Sequence, residues 1–162
     1  RWNGKSADDI EAIYERHVAD DGFVDGLIAL AASPALEAGA TWLIKRRLDC
    51  GGRLTQAQTS SFIARFARLE SWQAKIHAIQ CLPRLAIPAS RTELVEVFAR
   101  AGIRDRHKTV RAWAYGGFYE LARQFPEYRD DALRLIELAR RDEAASVQAR
   151  IRQVVANGFD GQ

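Results

Sequence analysis

Methionine is absent, cysteine occurs twice, histidine three times and proline four times in 162 residues. Cys50 and Cys81 stand on different segments, with no CxxC and no Cys/His pair at zinc spacing. That excludes a disulfide framework and a zinc module, and leaves buried free thiols as the expectation. His17 is followed by Asp20 and Asp21, but those belong to an acidic helix end leading into Gly22, and His77 and His107 have no ligand-spaced companion. No metal or cofactor is therefore expected. GxSxG, Walker-type and GxGxxG loops are missing, and Gly116-Gly117 falls inside a predicted helix rather than at a strand-to-helix turn. The longest apolar run, Leu27 to Ala32, is too short to span a bilayer. The opening stretch is polar and acidic, unlike a signal peptide, so a cytoplasmic protein without membrane contact is expected. Because no Met is present, the numbering is expected to start inside a longer natural chain.

Hydrophobic residues make up 48% and charged residues 28% of the chain, the balance of one globular domain able to bury a core. The net charge of +3 conceals an asymmetry. Residues 1–40 carry three basic and eight acidic side chains, whereas residues 41–111 carry fourteen basic and five acidic. The middle of the chain is thus a basic block, readable either as a solvated arginine-rich face or as a footprint for phosphates.

Apolar residues recur at helical spacing nearly everywhere, and no segment alternates with period two, so the fold class is all-α. Breaks fall at Asp20-Asp21-Gly22, Ser33-Pro34, Cys50-Gly51-Gly52, Ile87-Pro88, Arg104 to His107, Phe125-Pro126 and Arg141-Asp142. Ser33 before Pro34 reads as an N-cap with proline at the first helical position, and Ser6 with Asp9 reads as a capping box. Glycines inside a helix cost about 1 kcal/mol each, so Gly116 and Gly117 imply close approach of neighbouring helices.

Sliding the chain along itself exposes a repeat. Ser71-Trp72-Gln73-Ala74-Lys75-Ile76 aligns with Ser146-Val147-Gln148-Ala149-Arg150-Ile151, with Thr109-Val110-Arg111-Ala112-Trp113-Ala114 between them and Ala35-Leu36-Glu37-Ala38-Gly39-Ala40 as an earlier copy. The leading apolar residues Leu36, Trp72, Val110 and Val147 are 36, 38 and 37 residues apart. The helix before each copy repeats as well. Two helices in about 37 residues suit a stack whose hairpins bury their apolar stripes only against each other. Within it, Asp105, Val110-Arg111, Ala114, Gly117 and Phe118 resemble the HEAT-repeat signature, and Asp142, Val147-Gln148, Ile151, Val154 and Val155 repeat it with Gln for Arg.

The resemblance implies a right-handed α-α superhelix, a solenoid of about four HEAT-like hairpins over residues 22–50, 53–87, 90–125 and 127–158, with residues 1–21 as an N-terminal cap helix, all in one domain spanning 1–162. It also implies that Arg111 joins Asp105 and Asp142 in a ladder that sets the stacking, and that the second helix of each hairpin lines a concave face. Trp72, at the Val110 and Val147 position, is expected in the core, and Trp113 on a flank shared with Lys75 and Arg150. Five residues past each leading position come Thr41, His77, Tyr115 and Arg152, on the side of Glu37, Gln73, Arg111 and Gln148. His77, Tyr115, Arg152, Gln73 and Arg111 are therefore the candidate binding residues.

Some HEAT-like proteins are DNA glycosylases that remove alkylated purines, with aromatics and a carboxylate on one helix of a basic groove. No Asp or Glu lies between Ser71 and Thr92, so the term that stabilises the cationic sugar is missing there, and Glu70 or Glu120 are the substitutes on offer. The expectation is a non-enzymatic scaffold that binds a protein or peptide on its concave face. The alternative is a nucleic-acid-binding protein using the basic block.

Overall fold

The computed structural model describes residues 6–156, 158 and 159, and among them every regular element is a helix. In chain order these are α1 (Ala7–His17), α2 (Phe23–Leu30), α3 (Glu37–Asp49), α4 (Gln56–Ile63), α5 (Trp72–Cys81), α6 (Thr92–Ile103), α7 (Lys108–Gln124), α8 (Arg129–Asp142) and α9 (Ala145–Val155). Local chemistry sets most ends. Ser6 accepts from the Asp9 N–H at 3.2 Å to start α1, Thr55 and Gln58 form a reciprocal capping box on α4, and Ser71 accepts from Ala74 N to start α5. Gly51 at φ 81° turns the chain after α3, in the left-handed region where a side chain would strain. The Ser33-Pro34 expectation needs correction: a turn closed by Glu37 N–H to the Ser33 carbonyl comes first, and α3 begins only at Glu37.

Helices α3, α5, α7 and α9 form a row, each packed on the next. Against that row α1 and α2 lie on α3, α6 on α7, and α8 on α7 and α9, while α4 packs on α2. Small residues allow the close approach. A Cβ at Gly117 would lie 3.0 Å from the Ile79 side chain, one at Gly116 3.3 Å from Val154, and one at Gly102 2.8 Å from Ala114 Cβ. Adjacent α5, α7 and α9 therefore touch nearly backbone to side chain, as Gly116-Gly117 suggested.

Burial corrects the repeat register. The first buried residues of α3, α5, α7 and α9 are Glu37, Ala74, Val110 and Val147, at steps of 37, 36 and 37 residues. Leu36 and Trp72 are not the equivalents of Val110. Trp72 sits at the first position of α5, is 41% exposed, and lies beside His107 with ring centroids 6.0 Å apart. The buried residues of α5 are Ala74, Ile76, Ala78, Ile79 and Cys81, and the alanine that leads them gives a fainter apolar signal than one tryptophan.

A ladder of polar contacts ties the row together, with partners that differ from the expected ones. Arg111 spans Glu143, with Nε 3.0 Å from Oε1, and donates to the Asp105 backbone carbonyl at 3.0 Å. The Asp105 carboxylate serves the preceding rung, accepting Lys75 Nζ at 2.8 Å and the His107 N–H at 2.9 Å, and these donors hold its pKa below the usual value despite partial burial. The Asp142 side chain lies outside the described residues. Glu37, fully buried, makes the first rung: its carboxylate accepts the backbone N–H of Glu70 at 3.1 Å and that of Ser71, at the start of α5. Cys81 is buried, and burial pushes its thiol up, but Cys50 is exposed because it caps the solvent end of α3.

Candidate functional site

The corrected register redistributes the expected file of binding residues. His77, three positions past Ala74, is equivalent to Trp113 and Arg150, not to Tyr115 and Arg152. Tyr115 is 7% exposed and packs with Tyr119, Ile136, Val147 and Ile151 between α7, α8 and α9. It is a core residue because its offset points it away from the face that carries Trp113. Arg152 is exposed on α9, Gln73 is half-buried on α5, and Arg111 is committed to Glu143. The five candidates do not form one surface.

His77 is largely enclosed. Thr41 Oγ1 lies 2.7 Å from the Glu37 carbonyl and 3.2 Å from His77 Nδ1. A hydroxyl has one proton, which the shorter contact takes, so Oγ1 accepts from Nδ1–H. Burial, reinforced by the positive charge of Lys45, lowers the His77 pKa to about 4. A neutral, hydrogen-bonded imidazole serves here as a packing group that ties α3 to α5.

What the row does present is a groove of about 820 Å³ that crosses α3, α5, α7 and α9. Lys45 and Asp49 enter from α3, Gln80 from α5 with Arg84 just beyond it, Trp113, Gly116, Glu120 and Arg123 from α7, and Arg150 and Val154 from α9. Most of its charges are paired. Asp49 takes Lys45 and, at 3.1 Å, Arg84. Glu120, 7% exposed, takes Arg123 at 2.7 Å and Gln124 Nε2 at 2.8 Å. Arg150 differs from these cations. Its guanidinium carbon lies 3.9 Å from the centroid of the Trp113 ring, its Nη1 donates to Gln153 at 3.2 Å, and its buried Nε has no acceptor among the described residues. Burial alone lowers its pKa from the ordinary guanidinium value.

Trp113 and Arg150 were visible in the sequence as sharing one register, 37 residues apart, but as a flank rather than a site, and Lys75, placed with them there, is instead paired with Asp105 at 2.8 Å. Asp49, Arg84 and Arg123 carry no sequence signal, because they lie past the repeated hexapeptide. No group of three or more His, Cys, Asp or Glu is placed to hold a metal ion among the described residues, and no helix there is long and apolar enough to cross a membrane. Comparisons of the chain with protein-family models, with curated proteins and with solved structures each find no match.

Proposed function

We propose that the chain is a non-enzymatic scaffold: a short solenoid of HEAT-like hairpins, α2/α3, α4/α5, α6/α7 and α8/α9, capped by α1, that holds a segment of a partner protein on its inner helices. The groove across α3, α5, α7 and α9 carries this reading, because it draws on four successive helices and mixes both charge signs with an aromatic face. Its volume is within the range of pockets that enclose ligands, about 300–1,000 Å³. Equivalent positions of stacked hairpins form a continuous surface, which suits an extended peptide. Within the basic block, Lys45, Arg46, Lys75, Arg84, Arg100 and Arg111 are held in ion pairs, so these six serve the packing of the helices.

The test is quantitative affinity capture with three forms of the chain: wild type, a groove triple (Gln80→Ala, Trp113→Ala, Arg150→Ala) and an outer triple (Glu93→Ala, Arg134→Ala, Arg140→Ala). A partner retained by the outer triple and lost from the groove triple supports the reading. Loss from the outer triple alone removes it.

One observation favours the nucleic-acid alternative: Trp113 and Glu120 stand on the same helix and share the groove with Arg150, an aromatic and a carboxylate placed much as in the HEAT-like glycosylases. Against it, Glu120 is already engaged by Arg123 and Gln124, which leaves its charge poorly placed to stabilise a developing cation. Base release from alkylated DNA in a single-turnover assay, abolished in Glu120→Gln, would establish that reading. Its absence is the expected result.

A further inference from the structure

We propose that the occupant of the groove is an acidic peptide segment, one of whose carboxylates docks on the Arg150 guanidinium where it lies over Trp113; this rests on the reading of the groove as the partner site. Four cations line the groove, Lys45, Arg84, Arg123 and Arg150, against two carboxylates, Asp49 and Glu120. Both carboxylates are spent, the first on Lys45 and Arg84 and the second on Arg123 and Gln124. The surplus is two positive charges (four minus two), and Arg150 is the cation with no carboxylate among the described residues.

Its geometry suits an incoming anion. A guanidinium stacked on an indole is held in one orientation, and its remaining N–H groups keep the fork that matches a carboxylate with two parallel hydrogen bonds. Among the described residues Arg150 donates from Nη1 to the side-chain amide oxygen of Gln153, while burial disfavours its charge. A carboxylate docked on the guanidinium from the groove would supply the missing counter-charge. Gly116 and Val154 beside it leave an apolar wall against which neighbouring side chains of the segment can pack.

The same residues argue for a peptide over a nucleic acid. A polyphosphate gains most from an uninterrupted run of free cations, whose neutralisation releases counterions. Here Asp49 and Glu120 interrupt the run. A single-stranded base also needs an open aromatic face, and the Trp113 face is covered by Arg150. Discrete carboxylates on a peptide avoid both conflicts.

Short random peptides displayed on phage and selected on the immobilised full chain test the proposal. Selected peptides should be enriched in Asp and Glu, and changing those acids to their amides should weaken binding about tenfold or more, the scale of a truncated charge pair. Arg150→Gln should do the same, whereas Arg152→Gln should not, and thermal melting of both variants checks that they fold. Peptides without acidic enrichment but sensitive to Trp113→Ala would overturn the acidic class and leave the groove standing. Peptides insensitive to Trp113→Ala and Arg150→Gln alike would remove the groove itself. Displacement of the selected peptides by oligo-dT at lower concentrations than by their own free forms would overturn the proposal in favour of nucleic acid.

Discussion

Acidification from pH 7 to pH 5 should destabilise this protein through His77 in particular. The ring is neutral in the fold, with its pKa lowered from 6.5 to about 4 by burial and by Lys45. In the unfolded chain it protonates near 6.5, so between these values the unfolded state binds the extra proton and stability rises with pH. The contribution is complete above the unfolded pKa and is lost progressively as pH falls toward the folded one. A gap of about 2.5 units corresponds to about 3 kcal/mol in full, of which about 2 kcal/mol is lost by pH 5. For a domain of this size that is a fall of roughly 4–8 °C in Tm. His77→Asn is the matched control, because its amide N–H can reproduce the Nδ1 donor to Thr41 without titrating. Thermal melts followed by circular dichroism between pH 5 and pH 7 should show a steep pH dependence in the wild type and a shallower one in the variant. His17 and His107 are common to both and cancel in the difference. Equal slopes in the two proteins would refute the assignment of a buried neutral imidazole.

Three further outcomes follow from packing and capping. Glu37→Ala leaves the Glu70 and Ser71 N–H groups without their acceptor and should cost about 2–3 kcal/mol in chemical denaturation, as for buried hydrogen bonds to a charged group. Gly102→Ala gains about 1 kcal/mol of helix propensity but sets a Cβ 2.8 Å from Ala114 Cβ, so a net loss of about 1–2 kcal/mol is expected in the same assay. Trp72→Ala should cost no more than about 1 kcal/mol, because the ring is 41% exposed, whereas Ile151→Ala, fully buried, should cost about 2–5 kcal/mol.

The helical class and nearly every break were legible, because Gly, Pro and cap residues act locally and leave their mark in the chain. Gly51 and Pro126 each end or start a helix where the sequence pattern places the break, whereas the break between α4 and α5, closed by the Ser71 cap, was not among those read from the chain. The 37-residue period was legible too, but its phase was not. Trp72 drew the alignment because it is the largest residue near the start of α5, whereas the first buried residue there is Ala74. Phase is set by which face meets α3 and α7, a tertiary choice that small residues record faintly. The two-residue error then carried the expected file from Trp113 and Arg150 to Tyr115 and Arg152, into the core at one helix and off the groove at the next.

The same distinction separates the parts of the ladder. Arg111 was recognisable beside Val110, yet its partner is Glu143, because the guanidinium reaches the turn before α9 rather than the end of α8. Pairing of Asp49 with Arg84 depends on side chains from different segments brought together past the repeated hexapeptide, and although Glu120 and Arg123 stand three apart on one helix, that spacing announces a local ion pair and not a groove.

Site-specific photo-crosslinking tests the groove most directly. A photoreactive residue at position 80, inside the groove on α5, is compared with one at position 134, outside it on α8. The account predicts a discrete adduct with a partner protein from position 80, lost when Arg150→Gln is added, and none from position 134. An adduct from position 134 with none from position 80 would contradict it.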